Sequence, residues 1–237
     1  MSNLSDRHTD AFDNPAKAAC REGNLRALRE GAFLIWEDGD RTRLRCDWCE
    51  LMGETGLLTL DMLERQGVLA PRGFVGVDLN GERIESFRRQ RPDLKWVAAN
   101  LYEKLDAPEL VNVGILNLDE YGEVGNSDTI GDFHLIRGMV MRGLERFGEF
   151  ALFWNQDLDS VARRNQERAA ALRRHAEMVC KALKGSLPRR NLTPDMLLPA
   201  GTEDKVDAGF VGTLGAFEIY RGKARGHRMA NLRLLLR

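Results

Sequence analysis

Cysteine is scarce in this chain: four thiols, Cys20, Cys46, Cys49 and Cys180, are scattered over 237 residues. That is too few and too dispersed for a disulfide framework at this length, and it fits a reducing compartment. Long apolar runs are lacking too. None approaches the roughly 18 residues that a bilayer-spanning helix needs, so membrane insertion is not expected. Residues 1–14 show neither the basic-then-apolar order of a secretory signal nor the acid-poor composition of a transit peptide, and the chain reads as cytosolic. Internal repeats and low-complexity tracts are missing. So are several catalytic signatures. There is no phosphate-cradling Walker loop and no Gly-x-Gly-x-x-Gly, which argues against nucleotide hydrolysis and against NAD. His8, His134, His175 and His227 stand apart, with no His-Glu-x-x-His helix and no serine elbow, which argues against hydrolases and metalloenzymes. Cys46-Asp47-Trp48-Cys49 has the spacing of a zinc or redox pair. No second Cys or His pair accompanies it, and a strand there would send the two thiols to opposite faces, so no metal is expected.

With 43% hydrophobic and 30% charged residues, the chain can bury a substantial core, as one large α/β domain or two small ones. Its net charge of −1 conceals an asymmetry. Residues 1–120 carry 16 Lys and Arg against 22 Asp and Glu, a balance of −6, while residues 121–237 carry 19 against 14, a balance of +5. From Ser160 onward 16 basic residues face 7 acidic ones, with pairs at Arg163/Arg164, Arg173/Arg174 and Arg189/Arg190 and a run through Arg221, Lys223, Arg225 and Arg228. Such a bias suits a polyanionic partner, and equally the solvated outer face of a helix.

The order of the elements is the stronger signal. Pro15–Glu30 has helical spacing in Ala18, Ala19, Leu25 and Leu28, weakened by Gly23. The apolar run 32–36, followed by Asp38-Gly39, is expected to pair as a hairpin with residues 42–51. Strands are expected at 44–51, 74–77, 95–99, 111–118 and 149–154. Helices are expected at 57–66, from the Asn80-Gly81 turn through Gln90, at 128–146 and at 159–183, the last capped by Asp159 or Ser160. This alternation demands right-handed crossovers and a mostly parallel sheet. Residues 216–220 and 229–236 are strand-like as well, and the eight residues between them, 221–228, cannot hold a crossover helix. They must pair antiparallel, as a hairpin on the sheet's edge. The expectation is therefore an α/β fold with a mostly parallel seven-stranded sheet and an antiparallel carboxyl-terminal hairpin. Residues 1–40 form a helix-and-strand extension to the domain of residues 41–237.

In a doubly wound sheet the ligand lies over the carboxyl ends of the strands, where the first strand-to-helix turn offers backbone N–H groups and the second strand ends in an acid. Here the turn is Glu50-Leu51-Met52-Gly53-Glu54-Thr55-Gly56, and the acid is Asp78, after Phe74-Val75-Gly76-Val77. A carboxylate there can accept both hydroxyls of a ribose, and glycines let the backbone approach the ligand. This stretch, with the final hairpin, resembles the class I methyltransferases that use S-adenosylmethionine, whose fold is Rossmann-like. The resemblance covers about residues 44–154. Glu50, Gly53 and Gly56 are similar to the family's first motif, although Glu54 stands where the family usually has glycine. Asp78 matches its ribose acid, and Asn100, before Leu101, falls where an Asp or Asn meets the adenine amine. Asn117, Asp119 and Tyr121, in Leu116-Asn117-Leu118-Asp119-Glu120-Tyr121, lie where amino-methylating members carry their catalytic motif. That string is neither Asn-Pro-Pro-Tyr nor Asp-Pro-Pro-Tyr.

The resemblance implies a methyltransferase with S-adenosylmethionine as cofactor and Asn117, Asp119 and Tyr121 lining the acceptor side. The alternative is a catalytically silent domain of the same fold, a binding or interaction module such as a viral or accessory protein would use. The basic loop Arg221-Gly222-Lys223-Ala224-Arg225-Gly226-His227-Arg228 points to a nucleic-acid acceptor, bound mostly through phosphates because aromatic residues for stacking are few there.

Overall fold

Short apolar runs bounded by glycine and helix-capping residues can only bury both their faces if helices cover each side of the sheet they form. The computed structural model describes residues 15–38, 41–52, 57–69, 73–124, 127–159, 167–185, 192–222 and 227–237. In chain order its elements are α1 (Pro15–Glu30), β1 (Ile35–Asp38), β2 (Arg41–Leu44), β3 (Asp47–Leu51), α2 (Leu57–Arg65), β4 (Val68–Leu69), β5 (Phe74–Asp78), α3 (Gly81–Gln90), β6 (Lys95–Ala98) and β7 (Val113–Glu123). There follow α4 (Ser127–Phe147), β8 (Phe150–Asp157), α5 (Arg168–Leu183), α6 (Pro194–Leu197), α7 (Glu203–Asp207), β9 (Gly212–Leu214), β10 (Phe217–Arg221) and β11 (Arg228–Leu236).

An eight-stranded sheet runs in the order β6-β5-β3-β7-β8-β11-β10-β9. Its first five strands are parallel, and β11, β10 and β9 continue it antiparallel. The chain is thus α/β, with a mostly parallel sheet extended by antiparallel carboxyl-terminal strands. The last two strands pair as their short connection requires, from Phe217 opposite Leu232 to Arg221 opposite Arg228. They are not the edge. β11 lies between β8 and β10, and β9 makes the eighth strand, its three residues too short to leave a pattern in the sequence.

Side chains alternate across the strands and give two cores. On one side α4 and α5 bring Phe133, Ile136, Leu172 and Val179 onto Val75, Leu116, Leu152 and Trp154. On the other, α1, α2 and α3 bring Leu25, Leu28, Leu60, Leu63 and Ile84 onto Trp48, Phe74, Ile115 and Phe153. Among the described residues no helix is long and apolar enough to cross a membrane.

Three local departures from the sequence expectation have physical causes. The run 32–36 is strand only from Ile35, because Ala32 (φ 45) and Leu34 (φ 57) take left-handed backbone conformations as the chain leaves α1. The Leu34 N–H is then satisfied by Glu149 Oε2 at 2.8 Å. The expected strand 44–51 is divided: β2 pairs with β1 and β4 in a separate small sheet, while β3 enters the main one. Helix α5 begins at Arg168 with Glu167 as N-cap, not at Asp159, whose carboxylate is instead bound by Arg168 and Arg228.

Candidate functional site

From β3 the chain moves outward to β5 and β6, then returns to β7 on the other side of β3, so the order reverses between β3 and β7. Ligands of doubly wound sheets lie over the carboxyl ends at such a point. Glu50 of β3 and Asn117 of β7 are register partners there. The Glu50 carboxylate is buried and accepts four hydrogen bonds: from Trp48 Nε1 (2.9 Å), Thr59 Oγ1 of α2 (2.8 Å) and Asn117 Nδ2, which donates to both oxygens (2.9 and 2.8 Å). A carboxylate offers about four acceptor positions, so none remains for a ligand. Burial pushes the Glu50 carboxyl up to about 7 although these donors pull it down. Glu50 thus clasps β3, β7 and α2 together, and Asn117 is committed to it.

Asp78 ends β5. Its Oδ1 accepts the Asn80 N–H at 2.8 Å and its Oδ2 meets Arg83 Nη1 at 2.7 Å. Each oxygen keeps a second acceptor position, which leaves Asp78 fit to receive hydroxyl donors. Asn100 follows β6 and is occupied as a cap: its Oδ1 accepts the Tyr102 N–H at 3.1 Å. The backbone of Ala99 donates to Asp78 O at 3.0 Å, so the ends of β5 and β6 are tied side by side. Gly53, Glu54 and Gly56 lie outside the described residues.

The strand β7 runs five residues beyond the expected end at Leu118, with an irregular register between Asp119 and Glu123. Asp119 is therefore a strand residue opposite Asn155, and such irregularities re-aim side chains. Tyr121 lies in the same stretch, and its side chain is outside the described ones. Across the sheet Asp119, Asn155, Asn231 and Glu218 are successive register partners on β7, β8, β11 and β10, a polar row on the side that α1 covers. Helix α1 answers it. Lys17 forms an ion pair with Asp119, Cys20 Sγ lies 3.9 Å from Asn155 Oδ1, and Asn24 Oδ1 accepts Asn231 Nδ2 and Arg233 Nε, each at 2.8 Å. Tyr220 Oη also donates to Asn155, at 3.2 Å. Lys17, Cys20 and Asn24 stand at i, i+3 and i+7 and share one helix face. That spacing is visible in the sequence, but a polar stripe reads as a solvent face, so these residues went unsuspected.

Of the basic loop, Arg221 is exposed, while Lys223 and Arg225 lie outside the described residues. Arg228 corrects the expectation of a surface charge. It is 5% exposed, its Nη1 donates to Val206 O at 2.6 Å and its Nε to Asp159 Oδ1 at 3.2 Å. Cys46 and Cys49 fall in opposite cores as free thiols, and no group of metal-binding side chains occurs among the described residues. His175 is a core residue, edge-on to Trp154 and Phe217, and burial holds it down at about 4, hence neutral. A cleft of about 540 Å³ opens between α1 and α2, and one of about 500 Å³ beside the end of β6; neither is lined by Glu50, Asp78 or Asp119. No family model matches the chain, and no curated protein matches it in sequence.

Proposed function

We propose that this chain is a Rossmann-like domain of the S-adenosylmethionine-dependent methyltransferase type, taking its cofactor over the carboxyl ends of β3, β5 and β6. The observation that carries this reading is Asp78: an acid with spare acceptor capacity, on the strand next to β3, in a parallel sheet that antiparallel carboxyl-terminal strands extend. Asp78 would accept the ribose hydroxyls, and Gly53 and Gly56, which lie outside the described residues, would meet the amino-acid end. Asn100 would stand beside the adenine. The bound cofactor supplies an electrophilic methyl group. The protein's share is to hold the acceptor in line, exclude water and receive the acceptor's proton, a task that falls to Asp119, with Tyr121 on the same strand. Asn117 contributes by holding Glu50, and Glu50 by closing the switch point. A nucleic-acid acceptor would rest on Arg221, Lys223 and Arg225.

A second reading, a silent module of the same fold, is favoured by Glu50 having no lone pair to offer and by Lys17 sitting on Asp119. Calorimetry with S-adenosylmethionine and its demethylated product separates the two. The enzyme reading requires binding by the wild type and a loss of roughly 1.5–3 kcal/mol in Asp78→Ala, the worth of hydrogen bonds to a charged acceptor. Equal binding by both proteins, or binding by neither, leaves the silent module.

A further inference from the structure

The two halves of α1 are attached to the sheet by different chemistry. In residues 15–22 only Cys20 and Arg21 are buried, and this half meets the sheet through the Lys17–Asp119 pair, the Cys20–Asn155 contact and a bond from Arg233 of β11 to Cys20 O. In residues 24–30, Asn24, Leu25 and Leu28 are all buried, Leu28 completely, and the two leucines belong to the core that includes Trp48 and Phe153. Between the halves stands Gly23, where the helix has its least intrinsic preference, about 1 kcal/mol below alanine. Arg233 Nη2 occupies the space that a Cβ of residue 23 would need. Its guanidinium donates to Cys20 O at 3.5 Å and to Glu218 Oε2 at 3.3 Å. The second half is therefore anchored by apolar burial. The first is held by polar contacts alone: the Lys17–Asp119 pair, whose side chains keep 13% and 23% of their surface exposed, the buried Cys20–Asn155 contact and the Arg233 bond to Cys20 O.

We propose that residues 15–22 are a cover, hinged at Gly23 and latched by Lys17, that lifts off the polar row and uncovers Asp119. When it lifts, the carboxyl edges of β7 and β8 gain access to solvent on that side through Asp119 and Asn155, while Leu25 and Leu28 keep the rest of α1 seated. Cover, hinge and latch are built from this chain's own residues and hold whatever ligand the crevice takes. Cys20 lies on the inner face of the cover at 3% exposure and reports its position.

The test uses the full chain. Amide hydrogen exchange followed by mass spectrometry is compared between residues 18–22 and 25–29, and alkylation of Cys20 by iodoacetamide is timed against that of Cys46 and Cys49. In the wild type the first segment exchanges faster than the second. Lys17→Ala speeds exchange of residues 18–22 and alkylation of Cys20 by roughly threefold to fivefold, the worth of one partly exposed ion pair. It leaves residues 25–29, Cys46 and Cys49 unchanged, and Lys17→Arg restores the wild-type rates. Uniform exchange along α1 in the wild type overturns the proposal without recourse to any variant. It is overturned as well if Lys17→Ala changes nothing, or if it speeds all three thiols together.

Discussion

Glu50 shows how a side chain can be placed by the sequence and yet have its role hidden. An acid at the end of the first main-sheet strand is readable from the glycines that follow it in the sequence. Its partners are not, since Asn117 lies 67 residues away and Thr59 on the next helix. The clasp has a pH signature. The folded carboxyl titrates at about 7 against an ordinary value of 4.5, so the folded state holds its proton more tightly than the unfolded chain. The stability this confers is complete below about pH 4.5 and is lost as pH rises through 7. Between pH 5.5 and 8 the wild type should lose about 2 kcal/mol from this source, and Glu50→Gln should not. The glutamine can be accommodated, because Asn117 Oδ1 has no hydrogen-bond partner and can accept from the new amide once its own amide turns. Urea unfolding of both proteins at the two pH values measures the difference, and parallel losses would show that Glu50 does not titrate there. Gly76 of β5 makes a steric prediction. A Cβ on it would stand 2.6 Å from Trp96 Cε3 and 3.0 Å from Met52 Cγ, both in the buried core. Gly76→Ala should lower stability by roughly 2–3 kcal/mol in the same assay through overpacking.

Among the elements, those with apolar periodicity were legible and those set by distant polar partners were not. Helix α4 and strands β5 and β6 lie within a residue or so of their expected limits, because Phe133, Ile136 and Val140, or Val75 and Val77, announce a buried face on their own. Apolar periodicity ends at Leu118, so the continuation of β7 through Glu123 has no local signal. It is strand because Asn155 of β8 and Lys17 of α1 supply partners that no local window contains. The carboxyl-terminal hairpin was legible in its pairing but not in its anchor. Asp159 accepts the Arg228 N–H at 2.9 Å and the Arg228 Nε at 3.2 Å, and takes Arg168 Nε at 2.6 Å, so one carboxylate ties the ends of β8, α5 and β11 together. Asp159→Ala leaves the Arg228 guanidinium buried without its counter-ion, and should cost about 2–3 kcal/mol in unfolding free energy, less than a fully buried pair because Asp159 is partly exposed. A loss below 0.5 kcal/mol would show that the Val206 carbonyl alone holds Arg228.

Over the whole molecule the parallel run of the first five strands follows from the alternation of elements, whereas the charge asymmetry has a different meaning in three dimensions. Arginines of the basic half are matched within the fold: Arg173 with Asp195 and Glu203, Arg228 with Asp159, Arg233 with Glu218, Arg237 with Glu149. Linear charge counts cannot see such pairing. A polyanion would then engage Arg221, Lys223 and Arg225. Neutralising these three should flatten the salt dependence of oligonucleotide binding between about 50 and 200 mM, while Arg228→Ala should leave the slope alone and lower the melting temperature. Absence of binding even at the lower salt would remove nucleic acid as the acceptor. The position of β11 carries a consequence of another kind. Its eight pairings with β8, from Met229 opposite Asp157 to Leu236 opposite Phe150, come from a segment synthesised some seventy residues later. Until residues 228–236 have emerged from the ribosome, β8 offers a bare edge and β10 has no inner neighbour, so the nascent chain stays a candidate for chaperone capture until β11 slides between the other two.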